Sequence, residues 1–261
     1  MEYVIDVKEL FTHYGRREIL RNISFSVPKG LITVILGGSG CGKSTLLKHM
    51  IGLLKPTKGN ILINGKDITL MNEEELNEIR KKMGVLFQGS ALLNSMTIAE
   101  NVALPLKEHT NLKESTIDII VRMKLDLVGL SGFGDFYPSQ LSGGMKKRAG
   151  LARAMALDPE ILFFDEPSAG LDPVTAAGLD ELIINLKNVF KMTIVVVTHE
   201  LPSVFKIADY VIMLDMGELI FKGTIDELRN SNHPKVKIFL ERKPDESVYS
   251  PEDYFRYIAG D

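Results

Sequence analysis

The residues with the clearest chemical potential form one glycine-rich stretch at positions 37–44, with the sequence GGSGCGKS. The apolar residues 31–36 predict a buried strand before it, and the spacing of Leu46, Leu47 and Met50 predicts a helix after it. Glycines allow successive backbone N–H groups to turn toward one point, and the N-terminus of the following helix directs its positive end there. We therefore expect this stretch to bind an anion.

The residue types of this stretch fit the phosphate-binding pattern G-x-x-x-x-G-K-[ST]. Lys43 is predicted to reach the β- and γ-phosphates of a nucleotide, and the hydroxyl of Ser44 is predicted to ligate Mg²⁺. The alternative, a glycine-rich turn with a surface lysine, is disfavoured because strand, loop and helix agree. The complete predicted phosphate site comprises Gly37, Gly38, Ser39, Gly40, Cys41, Gly42, Lys43, Ser44 and Thr45.

Two carboxylates follow a second apolar run. Asp165 and Glu166 come directly after residues 161–164, which predict a buried strand. Because a buried acid pair is costly without a cation, we expect Asp165 to hold Mg²⁺ and Glu166 to lie beside the water that attacks the γ-phosphate. The alternative is a pair of acids in a surface turn.

Gln88 and His199 each follow a further predicted strand. Gln88 comes after residues 83–87, and its amide could reach a bound metal or its water, although a glutamine at a strand end usually faces solvent. His199 comes shortly after residues 193–197, where a lone histidine is usually structural. Because open α/β sheets bind ligands at the carboxyl ends of their strands, we expect both side chains at the same edge as the acids.

Three further positions carry weaker signals. Ser142, Gly143 and Gly144 begin a predicted helix and could form a second phosphate-binding N-terminus, although the same residues also make an ordinary helix start. Asp172 is the predicted N-cap of another helix. Tyr14 lies near a strand end and is a candidate either for stacking on a nucleobase or for packing.

The chain changes character along its length. Residues 1–94 and 156–231 carry the strand and helix signals of an α/β core, whereas residues 95–155 are dominated by helix signals and are predicted to form an inserted lobe. Residues 232–261 contain several prolines and are predicted to form an extended C-terminal extension. The aromatic residues that could anchor this extension on a neighbouring subunit are Tyr254, Phe255 and Tyr257.

Composition restricts the class of protein. The 261 residues are 45% hydrophobic, carry a net charge of −3 and include one cysteine, Cys41. This charge gives no sign of a nucleic-acid partner, and a single cysteine excludes internal disulfides. No apolar run approaches the roughly 20 residues that span a bilayer, and no signal peptide is recognisable. If the protein acts on a membrane, we expect another chain to supply the membrane part.

Over residues 1 to about 231, these motifs resemble, in type and in order, those of the nucleotide-binding subunits of ABC transporters. The corresponding segments are the Walker A loop at residues 37–44, the Q-loop at Gln88, the signature at residues 141–145, the Walker B strand at residues 161–166, the D-loop at residues 168–172 and the H-loop at His199. The chain departs from the family at Met145, where the family usually has glutamine. Methionine cannot make the hydrogen bonds of an amide.

The resemblance implies a fold and a set of cofactors. The implied fold is α/β, a P-loop NTPase core of the ABC ATPase type with an inserted α-helical lobe and an N-terminal antiparallel β subdomain. ATP and Mg²⁺ are the implied cofactors, with Tyr14 stacking on adenine. The implied catalytic residues are Lys43, Glu166 and His199, and the implied metal-associated residues are Ser44, Gln88 and Asp165.

The resemblance also implies partners. Two subunits of this family pack head to tail, so that the signature residues Ser142, Gly143 and Gly144 of one chain, with Asp172 nearby, close on the ATP held by the other. We expect a homodimer bound to integral membrane permease subunits at the cytoplasmic face of an inner membrane, with room for a small regulatory subunit and no nucleic acid.

Four short sequence segments narrow the resemblance to one branch of the family. Residues 87–93, 101–109, 141–148 and 164–173 are similar to the Mla or Mce-associated ATPases, which implies transport of phospholipids between inner and outer membranes. A lipoprotein or amino-acid transporter subunit is an alternative within transport. A soluble nucleotide-gated module that acts on DNA or ribosomes is another, although such relatives usually add coiled coils, a second ATPase half or basic extensions.

Overall fold

Residues 2–243 are described by the computed structural model, and they form two β-sheets with helices packed around them. The strands are β1 (Tyr3–Tyr14), β2 (Arg17–Pro28), β3 (Ile32–Gly37), β4 (Lys58–Ile63), β5 (Lys66–Asp67), β6 (Met83–Leu86), β7 (Ile161–Asp165), β8 (Thr193–Thr198), β9 (Tyr210–Asp215) and β10 (Glu218–Thr224). The helices are α1 (Lys43–Met50), α2 (Glu73–Arg80), α3 (Ile98–His109), α4 (Glu114–Leu127), α5 (Gly143–Ala154), α6 (Pro173–Phe190), α7 (Leu201–Ile207), α8 (Ile225–Arg229) and α9 (Pro234–Leu240).

The central sheet positions the residues of the site. Its six strands follow the order β10-β9-β3-β8-β7-β6, and all neighbours are parallel except β10 and β9. The parallel strands are apolar along their whole length because both faces are covered. In β7, Ile161 and Phe163 face one hydrophobic cluster, whereas Leu162 and Phe164 face the other. This double burial fixes the carboxyl end of the strand, where Asp165 lies.

The N-terminal strands form a separate antiparallel sheet with the order β2-β1-β4-β5. This sheet confirms the antiparallel subdomain that the resemblance implies, and β1 and β2 each have 12 residues. The β4–β5 turn has positive φ angles at Asn64 (49°) and Gly65 (76°), as a type I′ hairpin requires. Leu20 and Ile23 of this sheet share a buried cluster with Leu46 of α1. The subdomain is therefore packed directly behind the glycine-rich loop.

Three helices occupy the interval 95–155 that is predicted to be a helical lobe. They are α3, α4 and α5, and each packs against the other two between β6 and β7. A capping box begins α3, in which the side chains of Thr97 and Glu100 each accept a hydrogen bond from the other residue's backbone N–H. Asn101 is fully buried, and its side-chain amide accepts a hydrogen bond from the N–H of Leu93 and donates one to the carbonyl oxygen of Leu93. This contact ties the loop after β6 to the lobe.

The prediction of an extended chain after residue 231 is wrong for residues 234–240, which form α9. The prolines suggested an extended segment, but Val236, Phe239 and Leu240 have helical spacing and pack against the hydrophobic core. Pro234 occupies the first helical position, where proline is tolerated. The predicted anchor at Tyr254, Phe255 and Tyr257 lies outside the described residues. Within residues 2–243, no helix has the length and apolar character needed to cross a bilayer.

Candidate functional site

The glycine-rich loop connects the end of β3 to the start of α1, as predicted. A Cβ atom at Gly37 would lie 2.3 Å from the carbonyl oxygen of Leu214, and one at Gly42 would lie 2.6 Å from Cδ2 of Leu20. Any side chain at these two positions would displace the neighbouring strand or hairpin. The ammonium of Lys43 donates to the carbonyl oxygens of Gly37 and Gly38, both at 2.9 Å. Lys43 therefore closes the loop on itself and is buried at its centre.

Ser44 and Asp165 lie together beside this loop. The hydroxyl of Ser44 donates to Oδ1 of Asp165 at 3.1 Å. Burial raises the pKa of Asp165, the hydrogen bond from Ser44 opposes this shift, and the charge of Glu166 adds to it. A cation beside Asp165 would stabilise the ionised carboxylate and offset the free-energy cost of burying it. Hydroxyl and carboxylate oxygens are the donors that Mg²⁺ prefers.

The donor set is small, which fits Mg²⁺ bound through a nucleotide. Among the described residues, no group of three His, Cys, Asp or Glu side chains could hold a metal. Mg²⁺ usually binds to one or two protein groups together with substrate phosphates and water. Ser44 and Asp165 therefore suit an ion that arrives with ATP. The side chain of Gln88 is exposed and makes no described contact with either of them.

Glu166 is held from several sides at the end of β7. Its Oε1 lies 2.9 Å from Nδ1 of His199 and 3.9 Å from Nζ of Lys43, and its Oε2 accepts a hydrogen bond from Thr198 at 3.2 Å. The residue is only 8% exposed, and its φ of 46° is uncommon for a residue other than glycine. Such a conformation persists where the surroundings enforce it, and it often occurs at functional sites. The carboxylate is thus fixed between the phosphate loop and the histidine.

Sequence reasoning did not identify two residues that touch this acid. Thr198 bonds the carboxylate of Glu166, and Lys147 of α5 donates to its main-chain carbonyl oxygen at 3.2 Å. A threonine next to a strand-end histidine is a weak signal that could have found the first. Lys147 stands in a run of basic residues on a helix, where the usual expectation is a solvated side chain.

The predicted second phosphate-binding terminus lies at the start of α5, where Ser142 is the N-cap and accepts from the N–H of Met145. A Cβ atom at Gly144 would lie 2.4 Å from Cγ2 of Thr175, which places this terminus against the start of α6. Among residues 2–243, no hydrogen bond or ion pair joins the signature to the glycine-rich loop of the same chain. The side chain of Met145 packs against the hydrophobic cluster on the lobe side of the sheet.

Asp172 and Tyr14 have the local geometry that the sequence predicts. Asp172 caps α6 by accepting from the N–H groups of Val174 and Thr175 at 3.0 Å, and a bond from the Thr175 hydroxyl lowers the pKa of Asp172. Tyr14 ends β1 and is 51% exposed. The same hairpin borders a cavity of about 430 Å³ whose other wall is the glycine-rich loop. The residues lining that cavity include Arg17, Glu18, Ile19, Gly38, Ser39 and Cys41.

A parallel sheet with a strand–loop–helix phosphate cradle, and an Asp-Glu pair at the end of a nearby parallel strand, defines a P-loop nucleoside-triphosphate hydrolase. The family model described as ABC transporter matches residues 20–169. The chain belongs to the ABC transporter family, and it is an ATP-binding subunit with ATPase activity. This result confirms the predicted fold and the resemblance stated from the motifs.

Similar proteins support this assignment along nearly the whole chain. The intermembrane phospholipid transport system ATP-binding protein MlaF of Haemophilus influenzae is 44% identical over 258 residues, which cover 98% of each chain. MlaF of Escherichia coli K12 is 42% identical over 99% of this chain and 94% of that protein. A probable ribonucleotide transport ATP-binding protein, mkl, of Mycobacterium leprae is 46% identical over 92% of this chain and 69% of that protein.

Solved structures with the same fold are ABC cassettes. A dimeric structure of MJ0796, a bacterial ABC transporter cassette, has a TM-score of 0.79 at 31% identity and covers 85% of this chain and 98% of that one. A post-hydrolysis dimer of MJ0796 bound to ADP and Pi has a TM-score of 0.78 at 30% identity, with the same coverage. The cassette cbiO1 of Clostridium perfringens has a TM-score of 0.81 at 30% identity, covering 92% and 96%.

Proposed function

We propose that this ATPase works as a head-to-tail homodimer and powers a membrane permease that transports phospholipids between inner and outer membranes. The observation that carries the chemical part is the placement of the Glu166 carboxylate between His199 at 2.9 Å and Lys43 at 3.9 Å. The similarity to two MlaF proteins over nearly their whole length supports the choice of phospholipid. An ATPase for ribonucleotides, lipoproteins or amino acids is the alternative, the first because of the similarity to mkl.

In this mechanism each residue of the cradle has one task. The N–H groups of the glycine-rich loop and Lys43 bind the β- and γ-phosphates of ATP, and Tyr14 stacks on the adenine. When bound, Mg²⁺ would neutralise charge that develops on the phosphates, held by Ser44 and Asp165, with Gln88 reaching it or its water. Glu166 polarises the attacking water and accepts its proton. His199 orients Glu166 and contacts the γ-phosphate.

The role of Glu166 is tested by Glu166→Gln, which keeps the size of the side chain and removes the proton acceptor. We expect ATP binding to be retained and turnover to fall by about a hundredfold or more. The variant should elute as an ATP-bound dimer on size-exclusion chromatography. If its hydrolysis rate is within a few-fold of the parent protein, Glu166 is not the residue that activates water.

The dimer rests on the separation of the signature from its own phosphate loop. Gly144 packs against Thr175 of α6, and no hydrogen bond or ion pair among residues 2–243 joins Ser142 to the glycine-rich loop of the same chain. The N-terminus of α5 is therefore available to a nucleotide held by a second chain. Neighbouring structures that are dimeric cassettes support this arrangement.

A mixing experiment tests this composite site. Ser142→Arg blocks one half of each composite site and Lys43→Ala removes the other, so each variant alone should be inactive. A heterodimer should carry one intact site, and the mixture should recover about a quarter of the parent activity by random pairing. If heterodimers form and the mixture is no more active than either variant, the head-to-tail model fails.

The permease is proposed to dock in the groove between the core and the lobe, which has a volume of about 270 Å³. Arg80, Lys81, His109 and Arg153 line this groove. Arg80 is paired with Glu73 and Lys81 with Glu78, so Arg153 carries the charge most available to a partner. The Arg153 guanidinium bonds the main-chain carbonyl oxygens of Ser90 and Ala91, and no carboxylate is its described partner. A short permease helix with an acidic side chain fits this surface. Such docking would hold the protein at the cytoplasmic face of the inner membrane.

Docking and substrate are tested together with the native complex. Lys81→Glu should weaken co-purification with the permease from detergent-solubilised membranes, whereas Lys66→Glu on the opposite sheet is the matched control and should not. Purification with the parent chain would also reveal any small regulatory subunit.

The permease complex in proteoliposomes should move a fluorescent phospholipid in an ATP-dependent manner. Movement of ribonucleotides or amino acids instead would overturn the phospholipid assignment and leave the ATPase chemistry unchanged.

A further inference from the structure

Lys147 lies where the helical lobe meets two loops of the ATPase core. It belongs to α5, five residues after the signature serine, and only 5% of it is exposed. Its ammonium donates to the carbonyl oxygen of Gln88 at 2.5 Å and to that of Glu166 at 3.2 Å. One side chain of the lobe is thus bonded to the main chain of the loop after β6 and to the main chain of the residue after β7.

The burial of this ammonium needs a reason, because a buried charge is costly unless it is well paired. Burial lowers the pKa of Lys147, and the charges of Asp165 and Glu166 oppose that shift. The ammonium is thus held by two main-chain carbonyl oxygens, and the charges of Asp165 and Glu166 favour its protonated form. A lysine that served only to fill space on α5 would not need carbonyl acceptors from two different loops.

The carbonyl group of Glu166 is a sensitive point to hold. Its residue has the uncommon φ of 46°, and its N–H donates to the carbonyl oxygen of Val197 at 2.9 Å. The carbonyl oxygen accepts from Lys147 and from the N–H of Ala169 at 3.2 Å. The orientation of these peptide groups decides where the carboxylate of Glu166 points. Removal of Lys147 would free one side of a conformation that its neighbours enforce.

The loop after Gln88 is held by the same helix in the same way. Ser90 and Ala91 have φ angles of 61° and 51°, and both carbonyl oxygens accept from Arg153 of α5. Lys147 and Arg153 lie on the side of α5 that faces this loop. Any displacement of the loop by a docked partner therefore acts on α5, and through Lys147 on the main chain of Glu166.

We propose that Lys147 is a positioning residue that fixes the main chain of Glu166 relative to the loop after Gln88. It touches neither the phosphates nor the carboxylate oxygens of Glu166, so its effect on hydrolysis passes through the backbone. The inference rests on the proposed role of Glu166 in activating water. It adds a direct link, within one chain, between the lobe, the loop after Gln88 and the residue proposed to activate water.

The test compares Lys147→Met, Lys147→Arg and the matched control Lys124→Met in the purified full-length chain. Lys124 is another largely buried lysine of the lobe, paired with Asp158 away from the phosphates. We expect Lys147→Met to lower kcat by about 10- to 100-fold, because small misplacements of a reacting group have effects of this size. Its affinity for a fluorescent ATP analogue should stay within about threefold of the parent. Lys147→Arg should recover much of the rate, and Lys124→Met should hydrolyse ATP at the parent rate.

The possible outcomes separate this inference from the proposed function. Equal losses of kcat for both methionine variants would mean that the lobe is only destabilised, which overturns the inference. Parent-like kcat for Lys147→Met, measured beside an inactive Glu166→Gln, also overturns it and leaves the role of Glu166 intact. An active Glu166→Gln would instead overturn the proposed role of Glu166 in activating water. If Lys147→Met does not fold, Lys147→Gln takes its place, since its shorter amide cannot bond both carbonyl oxygens, and it must show the same split.

Discussion

The buried histidine on α1 gives a pH dependence of stability that can be measured. His49 is 1% exposed, its Nδ1 donates to the carbonyl oxygen of Leu54 at 2.9 Å, and its Nε2 accepts from the hydroxyl of Thr12 at 2.8 Å. Both ring nitrogens are satisfied in the neutral form. Burial lowers the pKa of His49, and the bond to Leu54 opposes part of that shift. The folded protein therefore resists protonation that the unfolded chain accepts.

The sign of the effect follows from proton binding. At a pH between the lowered folded value and the unfolded value of about 6.5, the unfolded chain binds more protons, so stability falls as the pH falls. For one fully linked proton, the loss is about 1.4 kcal/mol of unfolding free energy per pH unit. Above the unfolded value the contribution is complete. Replacement with asparagine keeps a donor near the position of Nδ1 and cannot titrate.

The assay is urea unfolding of the nucleotide-free protein at steps from about pH 5 to about pH 8. His49→Asn should be less stable than the parent at neutral pH because the ring no longer fills its site, and the two curves should converge as the pH falls below about 6.5. His109→Asn, at the exposed end of α3, is the control and should follow the parent curve. If the curves of His49→Asn and the parent stay parallel, the reasoning about the buried ring is wrong.

Three further predictions follow from contacts at the site. Gly144→Ala should lower the free energy of unfolding by about 1–3 kcal/mol, because its Cβ would lie 2.4 Å from Cγ2 of Thr175. Adding Thr175→Ser to that variant removes the methyl group and should restore most of the lost stability, as measured in a thermal melt. Asp172→Ala should lower the unfolding midpoint by removing the cap of α6, and Asp172→Asn should lower it less. Tyr14→Ala should weaken ATP binding by about 1–3 kcal/mol and Tyr14→Phe should not, as measured by titration with a fluorescent ATP analogue. If Tyr14→Ala binds the analogue as tightly as the parent, the role of Tyr14 is packing.

The sequence predicted the elements whose signals are local. The cradle at residues 37–44 has strand, turn and helix signals that agree, and Asn64-Gly65 specifies its own turn. The carboxyl ends of parallel strands meet at one edge, so the neighbourhood of Asp165 and His199 followed from chain order alone. The proximity of Ser44 to Asp165, across the long stretch between them, follows from the same rule.

Features that depend on tertiary packing were not predicted. The extended interpretation of residues 234–240 relied on prolines, whereas the buried side of α9 is created by its contact with the core. The burial of Lys147 could not be foreseen, because the helix that carries it has basic residues on both sides of that position. The packing of Met145 likewise depends on a neighbouring cluster that no local pattern specifies.

The double burial of the central strands has a consequence for hydrogen exchange. Alternate residues of β3, β7 and β8 belong to the two separate hydrophobic clusters, so neither cluster can open without exposing one face of these strands. Their amide hydrogens should therefore exchange only when the whole molecule unfolds. Glu166 and His199, which follow β7 and β8, are outside both clusters, and their loops can open at a lower free energy. The most slowly exchanging amides of the described residues would then end within one or two residues of Asp165, Glu166 and His199, the residues proposed to take part in hydrolysis.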